Sequence, residues 1–74
     1  MHEIRAEITA SVWQVRVEVG QRVAADDELM ILESMKMEIP VGAEVAGVVE
    51  AILVAQGSSV REGDVLAHVR PDAS

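Results

Sequence analysis

Lys36 is the one lysine in a chain of 74 residues whose other basic side chains are five arginines. It stands near the middle of the chain, in the stretch Glu33-Ser34-Met35-Lys36-Met37-Glu38. Acylating a side chain to an amide requires a primary amine, which arginine does not offer. A modifying enzyme therefore finds one side-chain target, and only the N-terminus competes with it. A solvated lysine amine is protonated at neutral pH in all but about one molecule in 2,500. Such a residue does not usefully acylate itself.

The rest of the chain offers little competing chemistry. There is no cysteine, which excludes disulfides and thiolate catalysis. No His, Cys and carboxylate cluster has metal-ligand spacing, and Asp26-Asp27-Glu28 lacks the alternating positions of a calcium loop. Ser58 and Ser59 sit in a turn signal with no base near them in sequence, so no nucleophile is assigned there. His2 is expected at a frayed terminus and His68 to be a structural histidine in the last strand. Trp13 is expected to pack one face of the fold. No catalytic residue is expected, and the chain is not read as an enzyme by itself.

Positioning Lys36 falls to a small all-β framework. Seventy-four residues allow one domain, 1–74, with a core from about 4 to 69 and short flexible termini. Half the residues are apolar, and Val, Ile and Thr together contribute nineteen, side chains that favour pleated strands. The run 12–19 alternates apolar with polar until Gly20, as a half-buried strand does. Further strands are expected at 5–8, 28–33, 37–41, 47–54 and 65–69. Turns are expected at Gly20-Gln21, 24–27, Gly42, 57–59 and 62–64. The net charge of −7 repels phosphate backbones and anionic membrane surfaces, so neither nucleic acid nor membrane is an expected partner. Apolar runs stop well short of the ~20 residues of a membrane helix, and the first four residues lack the basic start of a signal peptide. A soluble, cytoplasmic monomer is expected, since short edge strands offer no clear oligomer surface.

The chain also repeats. A shift of 37 residues places Ala6 on Ala43, Val12 on Val49, Val17 on Val54, Gly20 on Gly57, Val23 on Val60, Asp27 on Asp64 and Leu29 on Leu66. Two copies that cannot bury their apolar faces alone would close one core between them. The expected fold is a flattened β-barrel or sandwich of two small antiparallel sheets with approximate two-fold symmetry. Lys36 falls in the link between the copies, at a tip. If Met35-Lys36 are the central pair of a two-residue hairpin, the favoured primed turns ask for Asn-Gly or similar, which neither residue supplies. Ser34 then faces Met37, and Glu33 faces Glu38 as a like-charge pair costing about 0.2–1 kcal/mol. Departures of this kind from local rules are often functional, while the same residues also read as a solvated tip with Met35 and Met37 in the core and Lys36 pointing outwards between them.

Met35-Lys36-Met37, preceded by Ile31-Leu32-Glu33-Ser34 and followed by Glu38-Ile39-Pro40-Val41, resembles the attachment site of biotinyl domains, the biotin carboxyl carrier modules of barrel-sandwich fold. The likeness runs from about residue 4 to 69 and includes Val19-Gly20-Gln21-Arg22-Val23, its counterpart Gln56-Gly57-Ser58-Ser59-Val60, and Ala46-Gly47-Val48-Val49. Ser34 replaces the family's usual alanine, 7–10 replace a proline-rich entry to the first repeat, and Glu44 stands where a proline is usual. No insertion is long enough for the protruding "thumb" of some members. The resemblance implies that biotin is attached covalently to Lys36 by a biotin protein ligase, through an activated biotinyl-adenylate. It further implies that the tethered biotin carries a carboxyl group between biotin carboxylase and carboxyltransferase subunits. Glu33, Ser34, Met35, Met37 and Glu38 would be recognition residues around the site, the glutamates facing an electropositive entrance and the methionines making adaptable apolar contact. Two other readings remain: a lipoyl carrier, whose family has Asp before and Ala after the lysine, and an unmodified barrel-sandwich binding module.

Overall fold

The structure, a computed structural model, describes residues 1–72. Eight strands make up its regular elements: β1 (His2–Arg5), β2 (Ala10–Val15), β3 (Arg22–Val23), β4 (Glu28–Ser34), β5 (Met37–Gly42), β6 (Gly47–Ile52), β7 (Ser59–Val60) and β8 (Val65–Pro71). They form two four-stranded antiparallel sheets, ordered β1-β8-β6-β3 and β5-β4-β2-β7. This is the flattened two-sheet sandwich expected from the strand and turn spacing.

The 37-residue repeat is written into the hydrogen bonds. Ala6 N–H donates to the Asp64 carbonyl at 2.9 Å, and Ala43 N–H to the Asp27 carbonyl at 2.9 Å. Val12 N–H reaches the Ser58 carbonyl at 2.8 Å, and Val49 N–H the Gln21 carbonyl at 2.9 Å. The turns repeat as well: a carboxylate oxygen of Asp27 accepts from Ala24 N–H, and one of Asp64 from Arg61 N–H, both at 2.8 Å. Gly20 and Gly57 take φ of 92° and 88°, a left-handed conformation that costs glycine nothing. Each sheet draws two strands from each half, because β3 edges the sheet of β6 and β8 while β7 edges that of β2 and β4.

The core follows the same rule. Ala6 and Ala43, Val12 and Val49, Val23 and Val60, Leu29 and Leu66, Met30 and Ala67, and Leu32 and Val69 are all buried, each pair related by the shift. Ile4 and Val17 are buried against half-buried counterparts, Val41 and Val54. Burying one such aliphatic side chain contributes about 1.5–3 kcal/mol.

Several expectations need correction. The stretch expected as a strand at 5–8 is instead a link between sheets, since Ala6 bonds both ways with the 63–64 turn and so leaves the β1 ladder. The strand expected over 12–19 ends at Val15: a bulge at Trp13 shifts its register, Gln14 and Val15 still pair with Ile31 and Met30 of β4, and beyond them Arg16 N–H reaches the Leu29 carbonyl. The two-residue strands β3 and β7 are not among the expected strands, β3 falling between two expected turns and β7 starting at Ser59 in the expected 57–59 turn, and Gly42 ends β5 rather than making a turn. The N-terminus is not frayed at His2, which pairs with Val69 and places Nε2 2.8 Å from a Glu44 carboxylate oxygen. At Glu44 the departure from proline has a structural meaning. Its φ is 71° and its N–H donates to the Ala25 carbonyl at 2.9 Å, neither of which a proline ring permits.

Gly47 is the tightest point between strands. A Cβ there would collide with the Arg70 carbonyl, lying 2.8 Å from its carbon and 2.9 Å from the Cα of Pro71. Gly47→Ala is expected to lower stability by about 2–3 kcal/mol, measured by chemical denaturation. A loss below about 0.5 kcal/mol would show that β6 and β8 are not held at this separation.

Candidate functional site

The site begins with a central, buried strand. β4 is central in its sheet, flanked by β5 and β2, and its Leu29, Met30 and Leu32 are buried. It continues into β5 through the two-residue turn Met35-Lys36, with Ser34 opposite Met37 and Glu33 opposite Glu38. That is the register expected from the sequence. Both turn residues lie in the left-handed region, with φ of 52° at Met35 and 66° at Lys36. Such a pair defines a type I′ turn, whose twist matches that of the two strands. The hairpin imposes this backbone on residues that resist it, at a cost of about 1–2 kcal/mol each.

The side chains around the turn gain nothing from the core. Met35 is 92% exposed and Met37 64%. Lys36, Glu33 and Glu38 are exposed and Ser34 half-buried. Among the described residues, no ion pair engages Lys36, Glu33 or Glu38. An amine held this way is open from every side to a second protein and fixed in place by the strands behind it. The chemistry is not housed in a cavity. The cleft beside β5, lined among others by Ile8, Ile39, Val41 and Glu44, has a volume of about 90 Å³, well below the roughly 300–1,000 Å³ of small-molecule sites.

Other residues weighed from the sequence have structural tasks here. Ser58 Oγ accepts from Ala55 N–H at 3.3 Å within a turn. His68 Nε2 lies 3.8 Å from a Glu3 carboxylate oxygen on the outside of the other sheet. Trp13, expected to pack a face of the barrel, lies in the β2 bulge on an outer face and is 43% exposed. Alternation alone gives no sign of this, because a bulge interrupts the period by one residue.

A symmetric two-sheet sandwich presenting a lone lysine on a strained, exposed hairpin defines a carrier-type domain, whose reactive atom is attached from outside. This chain belongs to the biotin/lipoyl attachment family and is a biotinyl domain: the family model described as "Biotin-requiring enzyme" matches residues 3–69. A biotinylated protein of Mycobacterium leprae is 49% identical over 67 residues, covering 90% of this chain and 94% of that protein. A biotin/lipoyl attachment protein of Bacillus subtilis is 40% identical over 63 residues, covering 85% of this chain and 86% of that one. In the solved urea carboxylase of Kluyveromyces lactis, a segment superposes on 93% of this chain with a TM-score of 0.88 and 36% identity, while this chain spans 6% of that enzyme.

If the turn is strained as its φ values state, relieving it without touching Lys36 stabilises the fold. Met35→Asn places a residue tolerant of left-handed φ at a position with no packing to lose. A gain of about 0.5–1 kcal/mol in chemical denaturation is expected, and an unchanged or lower stability would show that Met35 is not strained.

Proposed function

We propose that Lys36 is the residue on which this domain carries biotin, and that the tethered group moves a carboxyl group between the biotin carboxylase and carboxyltransferase sites of a biotin-dependent carboxylase. The single observation that supports this most is the placement of the chain's one lysine at the exposed apex of the β4–β5 turn. The residues present fit a covalently held group, because the amine is unpaired and the exposed methionines beside it leave its approach open.

In this reading a biotin protein ligase binds the tip and removes a proton from Lys36 Nζ. The nitrogen then attacks the acyl carbon of biotinyl-adenylate, forming an amide as AMP leaves. Once bound, biotin supplies a ureido nitrogen able to accept and release a carboxyl group. The chain's own residues do the rest. Strand β4 fixes where the arm starts, and the tip location lets one arm visit separate sites at an effective concentration in the ~mM range. Glu33 and Glu38 present negative charge to a cationic entrance, and Met35 and Met37 give adaptable contact to several partners. The domain performs no catalysis of its own, acts as a monomer in the cytoplasm, and leaves the reacting bonds to its partner enzymes. Biotin is favoured over lipoate because Lys36 has methionine on both sides and the M. leprae relative is a biotinylated protein.

Intact mass of the chain after incubation with biotin, ATP and a biotin protein ligase tests the assignment. One biotinyl increment is expected, and none on Lys36→Arg, which keeps the charge and loses the acylable amine. No increment with ligase in excess, or an equal one on both chains, would overturn it; a lipoyl increment from cells supplying both ligases would move it to lipoyl carriage.

A further inference from the structure

The two-fold repeat gives each outer sheet face an internal reference. In the β1-β8-β6-β3 sheet, the β6 bulge places Glu50 outward beside His68, which pairs in register with Glu3. That face is polar and its carboxylates have arginine partners: Arg70 lies 3.3 Å from Glu50 and Arg5 2.6 Å from Glu3, with His68 Nε2 3.8 Å from Glu3. The shift of 37 residues carries Glu50, His68 and Glu3 onto Trp13, Ile31 and Pro40. Trp13 occupies the equivalent bulge in β2, and Ile31 pairs with Gln14 on one side and Pro40 on the other. Ile31 points away from the core, since its neighbours Met30 and Leu32 fill it, yet it is only 8% exposed. The outer face of the β5-β4-β2-β7 sheet is thus apolar at these three positions where its twin is polar, with Gln14, which accepts a hydrogen bond from Arg16 at 3.2 Å, beside Ile31.

This face runs directly into the tip. Glu33 and Glu38 are the next outward pair along the β4–β5 ladder after Ile31 and Pro40, and neither has a cationic partner among the described residues. Trp13 lies level with Ile31 and Leu32, some four residues or roughly 13 Å along the strand from Lys36. An enzyme docked on Lys36 therefore reaches it. An apolar centre with an uncompensated acidic margin calls for a partner surface with an apolar centre and a cationic margin. A ligase has a particular need for such a surface. Before acylation there is no biotin on the domain to recognise, whereas enzymes that act afterwards can hold the prosthetic group itself.

We propose that Trp13, Ile31 and Pro40 form the docking surface through which the biotin protein ligase recognises the unmodified domain, with Glu33 and Glu38 meeting its cationic margin. The proposal rests on Lys36 being the biotinylated residue. Initial rates of biotin incorporation separate the two. Trp13→Glu, which installs the residue its twin position carries, is expected to lower kcat/KM at least tenfold, mainly through KM. Trp13→Phe and the opposite-face control Glu50→Ala should stay within about threefold of the wild type, and all four chains should gain one biotinyl group when ligase is in excess. Rates for Trp13→Glu within twofold of the wild type would overturn the docking surface and leave Lys36 standing; no increment on the wild type would overturn both.

Should Trp13→Glu fold poorly, the Lys36→Arg chain labelled with 5-fluorotryptophan gives a second readout. Its single fluorine resonance should shift or broaden on adding ligase, and an unmoved resonance at saturating ligase would overturn the proposal. A concentration-dependent dimer of the wild type, abolished by Trp13→Glu, would assign the face to a second copy of the chain instead.

Discussion

Neither half of this chain supplies all four strands of either sheet, and the rest of the structure depends on that. Each sheet holds two strands from each half, and the halves are tied by reciprocal bonds such as Ala6 to Asp64 and Ala43 to Asp27. The core is shared in the same way, six buried pairs being related by the repeat. For a chain this short, total stability is about 4–11 kcal/mol. A single buried aliphatic side chain is a sizeable fraction of that. The interlocked core therefore decides whether there is a fold at all, and β4, which leads into the turn at Lys36, is among its most buried strands.

Because the two halves are so alike in backbone, their differences stand out. Turn bonds, bulge positions and buried residues recur from one half to the other, while the outward residues do not. Glu50, His68 and Glu3 answer to Trp13, Ile31 and Pro40. Burial constrains the inner positions of both copies to the same chemistry, whereas outward positions are free to differ. The sheet that bears the lysine is apolar at Trp13, Ile31 and Pro40 and acidic at Glu33 and Glu38 beside the turn.

Much of this was legible in the sequence, for a physical reason in each case. Two-sheet architecture followed from β-branched content, turn residues and the 37-residue repeat, because core positions tolerate little besides aliphatic side chains. The hairpin register at Glu33–Glu38 and Ser34–Met37 followed from a two-residue turn fixing every pair behind it. What escaped were features set by contacts distant in sequence. β3 and β7 are two residues long and exist only because β6 and β2 lie beside them. Trp13 is displaced by a bulge, which leaves no mark in alternation. Glu44 takes its left-handed φ while bonded to Ala25, a partner the local sequence does not announce.

At the tip, stability and residue choice part company. Two left-handed residues without glycine cost about 2–4 kcal/mol together, and a like-charge cross-strand pair adds about 0.2–1 kcal/mol. Both costs fall within the six residues from Glu33 to Glu38, where the two exposed methionines Met35 and Met37 give no burial in return. Against a total stability of about 4–11 kcal/mol these are large sums, and Asn-Gly would avoid most of the strain. The barrel can bear them because β4 and β5 enter the turn already paired over six residue positions and anchored in the core. A rigid framework carrying a costly tip suits the role proposed for Lys36: the framework sets where the lysine stands, and the residues of the tip add nothing to the stability of the fold.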